Sequence, residues 1–207
     1  MSTVVIGGSG LIGNAICRHL WVPDHEVYNY DFTQKTLSYF FDAKERPFHH
    51  YLTLSTNMRV FIDCARYDNQ ADQFLMWDTA INYFKRQNYG RIILFSSIYG
   101  HKAPDFSIYH GTEIKETPLE YAFTKGGTEQ AVRYLAQKLK PWNIQVNAIA
   151  PGGVRDQHTE DFQRQYQASG NAPMIEPKNI LPVVDMLLHP DNAVNGQVIT
   201  VDGGWSL

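Results

Sequence analysis

Two hydrophobic rhythms alternate along the chain. Thr3-Val4-Val5-Ile6 is a continuous β-branched run, and Ile12, Ile16 and Leu20 then recur at helical spacing, so a buried strand passes through a glycine-rich turn into an amphipathic helix. Glu26 to Tyr30 reads as a second strand ending in Asp31. Leu37 to Phe41 reads as a third strand ending in Asp42, but Phe32 to Lys35 is too short for the crossover helix that parallel strands need. A shortened or missing second crossover helix is therefore expected. Residues 44 to 58 can form the next helix, and Arg59 to Asp63 is a strand. Phe74, Trp77, Ile81 and Phe84 stripe one face of a helix over 71–87, and Arg91 to Phe95 reads as a buried strand. Leu119 to Leu139 is helical, with Val132, Leu135 and Leu139 on its apolar side, and Ile144 to Ala150 is another strand. Ile180, Val184, Leu187 and Leu188 mark a last helix that begins near Asn179 with Pro182 in its first turn, before a final strand over Gln197 to Val201. Strands alternating with helices make this an α/β chain with a doubly wound, mainly parallel sheet.

Two stretches lack any sustained period, 101–117 and 155–176. Long irregular segments within a compact domain usually serve a function, so both are expected to be substrate flaps. The 207 residues suit one domain with a full core, as does a hydrophobic content of 43%. A formal charge of −3 with scattered Lys and Arg gives no basic stripe for nucleic acid, so a small molecule is the expected partner. No segment approaches 18 uninterrupted apolar residues, and a strand from residue 3 leaves no room for a leader, so the expected location is the cytoplasm, away from membranes. Cys17 and Cys64 sit in apolar contexts without metal-ligand spacing and read as buried thiols. His49-His50 reads as solvated surface, since nothing nearby completes a metal site.

Against this background the chemistry concentrates at the carboxyl ends of the strands, where open α/β sheets bind ligands. Gly7-Gly8-Ser9-Gly10-Leu11-Ile12-Gly13 lies between strand and helix, where backbone can approach a pyrophosphate and the helix start can hold its charge. Asp31 follows about 20 residues on, the position from which an acid accepts hydrogen bonds from an adenosine ribose and repels a 2′-phosphate. NAD is favoured over NADP, although nearby Lys35 could admit a phosphate. Cys64 and Ala65 turn away from the end of the fourth strand, and Pro151-Gly152-Gly153 breaks the sixth at the same edge. Ser96 and Ser97 end the fifth strand, and Tyr121 with Lys125 follows 24 residues after Ser97. Four residues of helix place Tyr121 and Lys125 about 40° apart on one face, and a nearby cation favours phenolate, as an acid/base near neutrality requires. Tyr134 with Lys138 repeats the spacing about 20 Å further along the same helix, away from the strand ends, so position selects Tyr121.

The glycine turn, Ser97, Tyr121 with Lys125, Asn147 to Gly152, and Val201-Asp202-Gly203-Gly204 occur in one order that resembles the short-chain dehydrogenase/reductase family over almost the whole chain. The resemblance implies a Rossmann-like parallel sheet of about seven strands, NAD or NADP, and a Ser-Tyr-Lys site. It implies that Ser97 bonds the substrate oxygen, that Tyr121 moves its proton, and that Lys125 supports the tyrosine and holds the nicotinamide ribose. Asn69 stands where the family often places a fourth, relay-forming member. Gly7, Ser9, Gly10, Leu11 and Ile12 would face the pyrophosphate, Asp42 and Ala43 the adenine, Cys64 and Ala65 the cofactor beyond it, and Pro151, Gly152 and Val154 the nicotinamide. Ile98, His101 and Tyr109 would meet substrate. A homodimer or homotetramer is expected by the same analogy.

Some features depart from the usual pattern. The Gly7-x-x-Gly10-x-x-Gly13 spacing, the 24-residue gap and Glu129 are similar to the epimerase-like, extended branch, yet only 54 residues follow Gly153, too few for that branch's substrate domain. Cys64-Ala65-Arg66 stands where Asn-Ala-Gly is usual, and Arg155-Asp156 replaces an expected threonine. His101 to Phe106 with Ile108 to Thr112 is similar to short-chain oxidoreductases linked to surface sugars and flagellin glycosylation, whose hydroxyl-rich substrates would suit a flap bearing Asp105, Tyr109, His110, Thr112 and Glu113. The sequence thus points to an alcohol/ketone oxidoreductase on a sugar-like substrate. A catalytically silent dinucleotide-binding sensor or assembly protein is the competing reading, and a sugar epimerase or dehydratase a further one.

Overall fold

The structure, a computed structural model, describes residues 2–31, 36–39, 42–46, 58–67 and 70–207, with backbone only for 36–39 and 42–46. The strands are β1 (Ser2–Ile6), β2 (Glu26–Asp31), β3 (Thr36–Tyr39), β4 (Asp42–Arg46), β5 (Met58–Asp63), β6 (Gly90–Phe95), β7 (Ile144–Pro151) and β8 (Val198–Val201). The helices are α1 (Leu11–Leu20), α2 (Gln70–Gln87), α3 (Leu119–Leu139), α4 (Glu160–Gly170) and α5 (Leu181–Leu188). One sheet runs β4-β3-β2-β1-β5-β6-β7-β8, and the six strands from β2 to β8 in that order are parallel.

A parallel sheet needs helices on both faces, and the period-2 alternation of its apolar strands supplies two cores. Val4, Ile6, Phe61 and Leu94 point to one side and meet Trp77 and Phe84 of α2 and Val132 and Leu139 of α3. Val5, Ile62 and Ile93, their immediate neighbours in sequence, point to the other and meet Ile16 of α1 and Val184 and Leu187 of α5. The reversal of strand order between β1 and β5 leaves a crevice at the strands' carboxyl ends, where the glycine turn, Ser97 and Pro151 all emerge.

Three expectations are revised. The third strand pairs antiparallel with β2, Asn29 opposite Ser38, and β4 folds back on it, so a hairpin replaces the missing crossover. The four residues 32–35 suffice for an antiparallel return and are far too few for a parallel one. Residues 44–46 belong to β4 rather than to a helix; the rest of that expected helix up to residue 57, and His49-His50 within it, lie outside the described residues. Within 155–176 a regular helix forms, α4, whose N-cap Thr159 accepts a bond from Phe162 N at 3.3 Å and whose first turn carries Glu160 and Asp161, favourable charges at a helix start. Pro182 does fall in the first turn of α5.

The 101–117 stretch is ordered against α4. Ile98, Ile108, Tyr109, Phe162, Tyr166 and Trp205 form a third buried cluster above the sheet. Gln165 donates to the His110 carbonyl at 3.1 Å, and Ser169 bonds Asp105. Trp205, 1% exposed, stacks on Tyr166 at 4.7 Å and donates its indole N–H to the Tyr166 carbonyl at 2.7 Å, which pins the chain's last turn beneath the same helix. No helix among the described residues is long and apolar enough to cross a membrane.

Candidate active site

The glycine turn is shaped by close backbone approach. Gly7 has φ +75°, and a Cβ there would lie 2.9 Å from the Ala65 Cα, so only glycine lets the ends of β1 and β5 meet. A Cβ on Gly13 would lie 2.2 Å from the Gly7 carbonyl oxygen, so that glycine lets α1 start directly over the turn. Gly7 N donates to the Tyr30 carbonyl at 2.8 Å, which sets the turn beside Asp31 at the end of β2. Asn29 donates to the Ser9 hydroxyl at 3.0 Å. The first residue before α1, Gly10, provides no side-chain cap, and no acid occupies the helix's first turn. The helix start therefore keeps its N–H groups for an anion, the arrangement that a dinucleotide pyrophosphate requires. Leu11 is surface-exposed next to it, and Ile12 lines the cavity that follows.

That cavity, about 600 Å³, runs from Ile12 past Cys64 and Ala65 to Ser97, Tyr121 and Lys125, and is bounded by Pro151, Gly152 and Val154. An uncapped helix start and a lysine along one groove fit the phosphates and ribose of a dinucleotide. Lys125 donates to the Phe95 carbonyl at 2.8 Å and stands 5.6 Å from the centre of the Tyr121 ring. Burial lowers the proton affinity of Lys125, Asp63 and Cys64 oppose that shift, and Arg66 adds to it. Asp63, 3% exposed at the end of β5, is itself pushed up by burial. Three donors hold it against that trend: Trp77 Nε1 at 2.6 Å, Tyr67 hydroxyl at 3.0 Å and Ala65 N at 3.1 Å. Burial also raises the Cys64 thiol well above its usual range, with Asp63 and Cys17 adding to the effect and Lys125 opposing it, which disfavours the thiolate at this cavity wall.

Ser97 sits between a strand and a single turn, where its hydroxyl accepts from Tyr99 N at 3.3 Å. Behind it Ser96 donates to Glu129 Oε1 at 3.0 Å, and the His101 ring lies 2.7 Å from the same oxygen. His101 is thereby drawn to Glu129 and lines neither cavity, contrary to the expectation that it meets substrate. Its neighbour Ile98, along with Tyr109, does line a second cavity of about 550 Å³ that opens from the first at Ser97 and Tyr121. Of the expected flap, Asp105, His110, Thr112 and Glu113 stay off this cavity, whereas Lys115, Glu116 and Thr117 line it. The side chains of Asp42 and Ala43, and all of Asn69, lie outside the described residues.

The rival pair is not distinguished by local geometry. Lys138 stands 5.4 Å from the Tyr134 ring centre, as Lys125 does from Tyr121, but Tyr134 is 60% exposed and lines neither cavity. Several site residues carried weaker signals. Tyr166 holds the Gly153 N–H at 2.6 Å and so fixes the Pro151 loop, while burial pushes its phenol up to about 12. Its partner Phe162, four residues earlier behind Thr159, is the helical spacing that could have revealed α4.

A family model described as Enoyl-(Acyl carrier protein) reductase matches residues 69–206, two thirds of the chain. The chain belongs to the short-chain dehydrogenase/reductase family. Among its relatives are the post-translational flagellin modification protein A of Campylobacter coli, 36% identical over 61% of this chain and 50% of that protein, and the 2-dehydro-3-deoxy-D-gluconate 5-dehydrogenase of Escherichia coli K12, 30% identical over 64% and 51%. The chain thus spans about half the length of these curated relatives. A short-chain dehydrogenase from Leptospira borgpetersenii, solved with bound NAD+, superposes with a TM-score of 0.83 at 24% identity, covering 100% of this chain and 92% of that one.

Replacing Asp63 by Asn tests the buried carboxylate. An amide can keep either the Trp77 and Tyr67 bonds or the Ala65 bond, but not all three, and leaves a buried donor unpaired. Urea unfolding is expected to show a loss of about 1–3 kcal/mol; an unchanged midpoint would mean that the carboxylate is not what these donors need.

Proposed function

We propose that this chain is an NAD(P)-dependent oxidoreductase that interconverts an alcohol and a ketone on a sugar or sugar-derived substrate, with Tyr121 as acid and base. The observation that supports it most is the single cavity that joins the glycine turn's Ile12 to Ser97, Tyr121 and Lys125. In reduction, the Ser97 hydroxyl donates a hydrogen bond to the ketone oxygen and Tyr121 gives that oxygen its proton. Oxidation is the reverse. Lys125 spends one N–H on the Phe95 carbonyl, which leaves two to stabilise the developing phenolate and to hold the nicotinamide ribose. The bound nicotinamide supplies or accepts the hydride. Gly7, Ser9, Gly10 and Leu11 border the pyrophosphate, Pro151, Gly152 and Val154 the nicotinamide, and Asn69, which lies outside the described residues, is the proposed fourth catalytic member.

Asp31 supports a preference for NAD, since a carboxylate at the end of β2 accepts bonds from a ribose and repels a 2′-phosphate. The relatives named for flagellin modification and for a deoxygluconate dehydrogenase support a sugar-derived substrate, and the aromatic wall of Tyr109, Phe162 and Tyr166 suits the C–H faces of such a molecule. Exposed Phe74 and Leu75 on α2 and Leu119 and Phe123 on α3 support pairing through these helices. Sedimentation velocity is expected to give a dimer or tetramer, and a monomer at micromolar concentration would refute that pairing.

Tyr121→Phe is expected to lower turnover by at least about a thousandfold, within the range of acid/base catalysis combined with loss of an oriented hydroxyl. NADH binding, followed by its fluorescence, should change by no more than a few fold and should exceed NADPH binding. Tyr134→Phe should behave as the unmodified chain. Full activity in the Tyr121 variant would exclude the mechanism.

A further inference from the structure

The second cavity carries charge that the proposed chemistry does not use. Arg66, at the end of β5, lines both cavities and stands where a glycine is usual in the pattern that the chain otherwise resembles. Lys115, from the segment before α3, and His158, from the turn before α4, line the second cavity as well. Glu116 is the sole carboxylate among its described lining residues. Neither Arg66 nor Lys115 forms an ion pair or hydrogen bond among the described residues. The His158 ring stacks on Phe162 at 5.3 Å, and among the described residues only its Nδ1 is engaged, accepting from Asp156 N at 3.3 Å, with no partner there for Nε2. Three cationic or donor groups from three separate segments therefore converge on one hollow, opposite an aromatic wall and next to the Ser97 and Tyr121 hydroxyls.

Glu116 shares the second cavity and Glu120 the first, yet neither pairs with Arg66 or Lys115 among the described residues, so the hollow offers more positive donors than carboxylates and favours a ligand that brings negative charge. We infer that the second cavity recognises an anionic oxygen group, carboxylate or phosphate, on a polyhydroxylated substrate, with Arg66 as its principal partner and Lys115 and His158 as supporting donors. A guanidinium can clamp such a group through two parallel N–H bonds. From its place at the junction of the two cavities, Arg66 would then fix the distance between the anion and the carbon that reacts. The bound anion would also offset the influence of Arg66 on Lys125, whose ammonium Arg66 destabilises, and so would help keep that lysine charged while substrate is present. This inference rests on the oxidoreductase reading for the place of the reacting carbon, but anion recognition itself can be measured without turnover.

The probes are D-gluconate, D-glucitol 6-phosphate and neutral D-glucitol, titrated calorimetrically into the NAD+-saturated protein. At least one of the two anions is expected to bind about tenfold or more tightly than glucitol, and the better one identifies the group. Arg66→Met should remove most of that preference, Arg66→Lys should restore part of it, and Lys115→Met should weaken it by a few fold. Equal binding of all three probes, or no binding of either anion, would overturn the proposal. So would an Arg66→Met variant that keeps the preference, or one that loses NAD+ affinity by more than it loses anion affinity, because Arg66 would then belong to the cofactor. Anion preference without turnover of any polyol or ketose would instead reject the oxidoreductase reading and leave this one standing.

Discussion

The Lys125 ammonium donates to the Phe95 carbonyl at 2.8 Å, and this bond joins the two elements on which the site depends. Phe95 ends β6, the strand that delivers Ser96 and Ser97; Lys125 belongs to α3, the helix that carries Tyr121. A buried lysine is expensive to keep charged, and here burial does lower its proton affinity. The Phe95 carbonyl and the negative field of Asp63 work against that penalty, and Asp63 is in turn held by Trp77, Tyr67 and the Ala65 N–H. Remote parts of the sheet and of α2 thus fix where one ammonium can sit.

A second set of contacts works from above. Glu129 lies one helical turn beyond Lys125 and receives Ser96 and His101, so the chain leaving β6 is held against α3 at two points. A Cβ on Gly100 would lie 2.7 Å from the Glu129 carboxylate, which shows how closely that turn is pressed onto the helix. On the far side α4 and the 101–117 stretch share one apolar cluster, and Tyr166 fixes Gly153. The two irregular-looking segments are therefore parts of a single wall around the second cavity.

Much of this was legible in the sequence because strong local patterns coincide with the tertiary need. Apolar runs such as Ile92 to Phe95 become central parallel strands, and the glycine turn forms where backbone contact with Ala65 excludes a side chain. The antiparallel hairpin after β2 was half legible: the four-residue gap ruled out a crossover, but the strand's direction depends on pairing that no local period encodes. Helix α4 was hidden because its exposed face is polar, leaving only Phe162 and Tyr166 as apolar marks. Tyr121 and Tyr134 have nearly the same distance to their lysines, so burial and strand-end position, not spacing, separate them. His101 was expected at the substrate and lies instead against Glu129, because a nearby buried carboxylate captures the histidine.

Oxidoreduction, reversible epimerisation and silent binding of a dinucleotide leave different balances of reduced cofactor. The most direct measurement follows NADH absorbance under single-turnover conditions with a panel of keto sugars and keto sugar acids. Stoichiometric, permanent loss of NADH with at least one of them, dependent on Tyr121, is the expected result. Saturable NADH binding with no net oxidation across the panel would contradict the assignment of Ser97, Tyr121 and Lys125 to alcohol/ketone chemistry.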